Sequence, residues 1–174
     1  DVKVEGALDA GLNLGRATLD SLSDDLAAKT RTASAQLSQV PDASAGLLLE
    51  RIRDQLEASD VILWTGSGQL VASAGASRFQ LNPERPTAQQ FRQVRPDRAV
   101  AHVEGLEETA LPSATPSSAS VRALAMVQRP GFDFDTAPRY LQVTRPLPPG
   151  AVANALAVQE ANREYQERAA GGGG

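Results

Sequence analysis

The chain has 174 residues, a net charge of −4 and 41% hydrophobic residues, with aromatics at only 4%. That length fits one domain whose core is mostly Ala, Leu and Val, and the acidic balance argues against nucleic acid, whose phosphates call for a basic face. The absence of cysteine excludes disulfides, thiolate metal sites and thiol catalysis.

Residues 1–40 read as one long amphipathic helix. Leu8, Leu12, Gly15, Leu19, Leu22 and Leu26 recur at alternating steps of four and three, the 3.5-residue period of a coiled-coil seam or a long packed helix. Such a helix spans about 60 Å, longer than a small domain can bury. Leu8, Leu12, Leu19, Leu22 and Leu26 are therefore candidates for a dimer seam, with an ordinary core helix as the alternative. The seam weakens after Leu26, and the stretch from Ala27 to Val40 is expected to lie against its own sheet.

Pro41-Asp42 breaks the helix, and Ser44 is placed to cap a second one, over 44–58 with Leu47, Leu48, Ile52 and Leu56 on one face. Asp60 to Thr65 is a strand, Gly66-Ser67-Gly68 a tight turn, and Gln69 to Ala74 the return strand. After a loop from Asn82 to Pro86, Thr87 caps a short helix to Val94 with Phe91 and Val94 inward. Arg98 to Glu104, Val121 to Arg129 and Arg139 to Leu147 are further strands. A Pro/Ser/Thr-rich loop is expected over 107–120, and a second loop over 130–138 carries Phe132, Phe134, Asp133 and Asp135. Pro149 or Gly150 opens a last helix, anchored by Val152, Leu156 and Tyr165. Gly171 to Gly174 read as a flexible tail, of the kind a cloning linker leaves.

The expected fold class is α+β: a long N-terminal helix and a second helix packed on a five-stranded antiparallel sheet, followed by a C-terminal helix. The organisation is a long helix over 1–40, a sensor-like body over 41–150 and a connector helix over 151–170. No apolar run reaches the roughly 18–20 residues of a membrane span, and no signal peptide is visible. If the domain is extracytoplasmic, flanking spans have been trimmed from both ends.

Catalytic residues are not apparent. The chain has a single histidine, His102, and a nucleophile triad usually needs a histidine base. No Gly-rich loop with Lys-Ser/Thr is present for phosphate, and Asp133 and Asp135, with Glu107 and Glu108, read as solvated loop acids, a cation site being the alternative. No cofactor and no metal are expected. A ligand pocket is the stronger chemistry. Alternation puts Arg122, Leu124 and Met126 on one face of their strand, and Val121, Ala123, Ala125 and Val127 on the other. The small apolar set suits packing against the long helix. Tyr140, Gln142 and Thr144 share a face, as do Val100 and His102, and Trp64 shares one with Ile62. Trp64, His102, Arg122 and Tyr140 can together wall a pocket for a small anion or metabolite, the arginine pairing a carboxylate bidentately. The plainer outcome is Trp64 in the core, with His102, Arg122 and Tyr140 on the surface of the sheet.

The element order, with the opening DVKVEGALDAGLNLGRATLDSLSDDL, the hairpin VILWTGSGQLVASAG and the closing ALAVQEANREYQERAA, resembles the extracytoplasmic sensor region of NtrY-type nitrogen-regulation sensor histidine kinases, of PAS-like (Cache or PDC) fold. The resemblance implies a periplasmic input module of an inner-membrane protein that is a homodimer when intact. Its kinase machinery lies outside this chain, so the fragment itself is not an enzyme. A chemoreceptor sensor domain, or a coiled-coil adaptor without a small ligand, are the alternatives.

Overall fold

The computed structural model describes residues 2–79, 83–105, 119–129, 137–151, 153, 160 and 164, with side chains from residue 15 onward. Helix α1 runs from Val2 to Leu37, about 54 Å of helix, and ends ahead of Pro41, which cannot continue it. Its inward face is Leu26, Thr30, Ala33, Ser34 and Leu37, all buried. The two hydroxyls on this face turn back onto the helix, Thr30 to the Leu26 carbonyl at 2.7 Å and Ser34 to that of Arg31 at 2.6 Å. Burying them therefore leaves no donor unpaired. As expected, the stretch after Ala27 lies on the chain's own sheet.

Part of the seam expected to pair two subunits also serves the chain's own core. Leu26 is fully buried in the chain's own core, and Leu19 and Leu22 pack against it. Leu26 has no surface left for a partner, while Leu19 and Leu22 stay partly exposed. The side chains of Leu8 and Leu12 lie outside the described residues.

A 3₁₀ turn, Asp42–Ser44, leads into α2, Ala45–Leu56. Ser44 occupies the N-cap position but makes no side-chain capping bond; the preceding turn does the work of redirecting the chain. The buried face of α2 is Ala45, Leu49, Ile52 and Leu56. Leu47 was expected there and is instead 81% exposed. A run of three leucines fits more than one helical phase, and the sheet selects the one through Leu49.

The strands are β1 (Asp60–Thr65), β2 (Leu70–Gly75), β3 (Val100–Glu104), β4 (Ser120–Val127) and β5 (Arg139–Pro146). They form one five-stranded sheet in the order β2-β1-β5-β4-β3, with every pairing antiparallel. This is the expected PAS-like sheet. The Gly66–Gly68 turn closes the β1–β2 hairpin, with Gly68 at φ 85° and its N–H donating to the Thr65 carbonyl at 3.0 Å. After β2 comes a 3₁₀ turn, Ala76–Phe79, tied back by the backbone N–H of Ser77, which donates to Asp60 at 3.1 Å. Helix α3, Ala88–Gln93, opens with a full capping box between Thr87 and Gln90. Residues 149–151, 153, 160 and 164 are helical. The loops expected over 107–120 and 130–138 fall mostly outside the described residues, as do the anchors Val152, Leu156 and Tyr165 and the glycine tail.

Helices α1 and α2 cover one face of the sheet. Val61, Leu63, Val121, Ala123, Val127, Leu141 and Val143 point into that core, the apolar alternation read from the sequence. Arg145 ties the layers together. Its Nε and Nη2 donate to the Leu56 carbonyl at the end of α2, at 2.8 and 2.5 Å, and its Nη1 meets Asp25 of α1 at 3.3 Å. At the opposite end of the strands Asp42 holds Arg129, just beyond β4, and Arg139, the start of β5.

Two glycines give opposite expectations. Gly75 has φ 93°, and a Cβ there would lie 2.4 Å from the Ser59 carbonyl oxygen. Gly75→Ala is expected to cost at least about 2 kcal/mol, from left-handed strain plus the clash. Gly46 lies in α2 with nothing within 4 Å of its would-be Cβ, so Gly46→Ala should add about 0.5 kcal/mol through helix propensity. Urea unfolding midpoints of the two variants, moving in opposite directions, check both.

Candidate ligand cleft

The face of the sheet turned away from α1 and α2 carries the other half of each strand's alternation. Register sets it out row by row. His102 faces Arg122, which faces Thr144; Leu124 faces Gln142, which faces Ile62; Met126 faces Tyr140, which faces Trp64. Over this face passes the segment 83–95 containing α3. Phe91 of α3 meets Tyr140 edge-on, with ring centroids 4.8 Å apart at 70°, a favoured aromatic geometry. Val94 is buried. Arg85 lies against Gly68 of the hairpin turn, so the segment is pinned to the sheet at more than one point.

Between α3 and the sheet lies a cleft of about 310 Å³, the scale of a small-molecule site. Gln89, Gln90 and Gln93 line it from α3, while His102, Arg122 and Gln142 line it from the sheet, with Val100 and Leu124 as its apolar lining. Gln142 is only 3% exposed. Its Oε1 accepts the indole N–H of Trp64 at 2.6 Å. Arg122 pairs through Nη1 with Glu104 at 3.3 Å and reaches Glu84 at 3.8 Å. Its Nε is buried and meets no acceptor among the described residues. Glu104 also accepts from His102 Nε2 at 2.5 Å. That hydrogen bond, helped by the Arg122 charge and opposed by partial burial, holds the Glu104 carboxyl below its ordinary value of 4.5.

Trp64, His102, Arg122 and Tyr140 all lie on this one face, but not in one cavity. His102 and Arg122 line the cleft. Trp64 lies in the packed interior beside it, touching it only through Gln142. Tyr140 stands with Phe91 in a separate broad depression shared with Gly66–Gly68, Arg85 and Met126. Sequence reasoning did not single out Gln142 or Glu104 as site residues. The signal for Gln142 was an amide between Leu141 and Val143 in an otherwise apolar stretch. No comparable signal marks Glu104, whose role depends on β3 lying beside β4.

Chemically, the cleft offers hydrogen-bond donors at its floor, a carboxylate at its rim and an apolar lining between. Among the described residues no group of three or more His, Asp or Glu side chains could hold a metal ion, and no helix is long and apolar enough to cross a membrane.

A PAS-like sheet domain with a ligand-sized cleft under its short helix is the class that the architecture defines. No protein-family model matches the chain, and no curated protein matches it. Among solved structures it is similar to the sensory domain of the Campylobacter jejuni chemoreceptor Tlp3 (CcmL), at 14% identity and a TM-score of 0.47, covering 82% of this chain and 62% of that one. The ligand-binding domain of the same chemoreceptor in complex with L-valine gives 14% identity, a TM-score of 0.48 and coverages of 82% and 61%. The sensory domain with isoleucine bound gives 13%, 0.49, 82% and 60%. The chain thus spans about three fifths of the length of each of these structures.

The Glu104 cluster has a testable pH signature. A carboxyl whose folded pKa is lowered stabilises the fold above its unfolded value, and that contribution is lost as pH falls through the folded value. Glu104→Gln should therefore be less stable than the parent at pH 7, by about 1 kcal/mol for a charge-assisted bond partly open to water. The difference should shrink steadily below pH 4.5. Denaturant melts of both proteins across this range measure it, and a pH-independent gap contradicts the assignment.

Proposed function

We propose that this chain is the ligand-binding input domain of a membrane-bound sensor, held in the periplasm, and that the sensor is an NtrY-type two-component histidine kinase acting in nitrogen regulation. The observation that carries the ligand-binding part is the cleft beneath α3, where the buried Nε of Arg122, without an acceptor among the described residues, and the Gln142 amide line a small space of mixed polar and apolar walls. Native interiors rarely leave such groups unpaired, and a small ligand with acceptor groups would pair them. The kinase part is supported by the opening, hairpin and closing segments of the sequence.

The same strand that floors the cleft also touches the long helix. On β4, Arg122 and Leu124 face the cleft, while Val121, Ala123 and Val127 face the core under α1. One strand's thickness separates ligand from helix. A ligand that binds one arrangement of β4 against α1 better than another shifts the population between them; equal affinity for both would signal nothing. In the intact homodimer, such a shift would pass along α1 toward the membrane.

Thermal-shift screening of the domain against amino acids, small carboxylates and other polar metabolites tests the reading. A stabilising compound should lose roughly tenfold to a hundredfold in affinity with Arg122→Gln, the worth of a charged hydrogen bond. Autophosphorylation of the full-length protein in membrane vesicles should respond to the same compound. A compound that binds the domain yet leaves autophosphorylation unaltered would sink the kinase assignment. A methyl-accepting module encoded downstream would replace it with a chemoreceptor.

A further inference from the structure

We propose that Trp64 is a positioning residue: its indole N–H locks the Gln142 amide with the NH₂ turned to the cleft, so that the site admits a hydrogen-bond acceptor at its floor and rejects a donor. The inference rests on the cleft being the ligand site.

A glutamine amide can present either end to a ligand, and its orientation follows from its partners. Here the partner allows one answer. An indole N–H only donates, so the atom 2.6 Å from Trp64 Nε1 must be the carbonyl oxygen Oε1. Both side chains are 3% exposed. Flipping the amide would set two N–H groups against each other away from water, with both unpaired. Strand register makes the lock local. Trp64 of β1 stands opposite Tyr140 of β5, and Gln142 is its diagonal neighbour on the same face.

The released NH₂ meets no acceptor among the described residues, and Gln142 lines the cleft. The neighbouring strand adds a second donor, the buried Nε of Arg122. Glu104, the nearest carboxylate to these donors, is already engaged by His102 and Arg122. The floor is therefore of one polarity. A carboxylate or carbonyl oxygen fits between the donors, while an ammonium group would face them head-on.

The test uses the full chain, ¹⁵N-labelled, with aliphatic carboxylates of two to six carbons, the amines of the same skeletons and L-amino acids as probes. The expected result is that carboxylates shift the Gln142 side-chain NH₂ resonances and are preferred over the matching amines. Trp64→Phe, which keeps a ring and removes the N–H, should cut that preference at least fivefold. Gln142→Glu is nearly isosteric: one oxygen still accepts from Trp64 and the other faces the cleft, so the preference should reverse toward amines. If Trp64→Phe does not fold, the reversal in Gln142→Glu decides alone. A preference unchanged in the variants that fold, or amines preferred by the parent, overturns the inference and leaves the ligand cleft standing. Silence of every probe at the cleft overturns the ligand reading itself.

Discussion

The domain depends on where β5 goes. The last strand in sequence lies in the middle of the sheet, paired on one side with β1 and on the other with β4. Both the packed core and the cleft follow from that placement. Leu141 and Val143 complete the layer under the helices, while Tyr140, Gln142 and Thr144 bring β1 and β4 into one working face. Arg145, just beyond, clamps the end of α2 and reaches α1. These contacts join distant parts of the chain: Trp64 and Gln142 are 78 residues apart, and Ser59 and Thr144 are 85 apart. Such pairings form late because the loop between them must close first. The cleft floor therefore exists only when distant parts of the chain are joined in one intact sheet.

Electrostatics in the cleft is local. The chain is acidic overall, yet the one arginine in the cleft wall is met by Glu104 and Glu84 at Nη1 alone, while its Nε stays without an acceptor among the described residues. Recognition of an anion there would owe more to the direction of a few N–H groups than to a field of positive charge. Directed donors in a partly dry site are worth more than the same groups in water. Their geometry also discriminates where bare charge does not.

Much of this was legible in the sequence, and the failures have physical causes. The Gly66–Gly68 hairpin, the Thr87 cap and the two-faced alternation of β4 and β5 are local signals, and the structure follows them. The leucine seam runs into the core face at Leu26 because a 3.5-residue and a 3.6-residue period hardly diverge over so few turns. A core face and a coiled-coil face look alike there. In α2 the leucine run left the helical phase open, and only the sheet beneath it decided between Leu47 and Leu49. The faces of the four site candidates could be read from alternation, but their division between a cleft and a neighbouring depression could not. That division is made by α3, with Gln89, Gln90 and Gln93 toward the cleft and Ala88, Phe91 and Arg92 toward the depression, and how a helix docks leaves no periodic trace in sequence.

The hydrogen bond between Trp64 and Gln142 has one further consequence. Trp64 is the chain's only tryptophan, so all of its indole emission, excited to the red of tyrosine absorption, comes from a single ring, shielded from water and bonded to a side chain that lines the cleft. Indole emission responds to the polarity and hydrogen bonding around the ring. The domain is thus its own optical reporter: occupancy of the cleft can be followed by the colour of one unmodified residue, with no label attached.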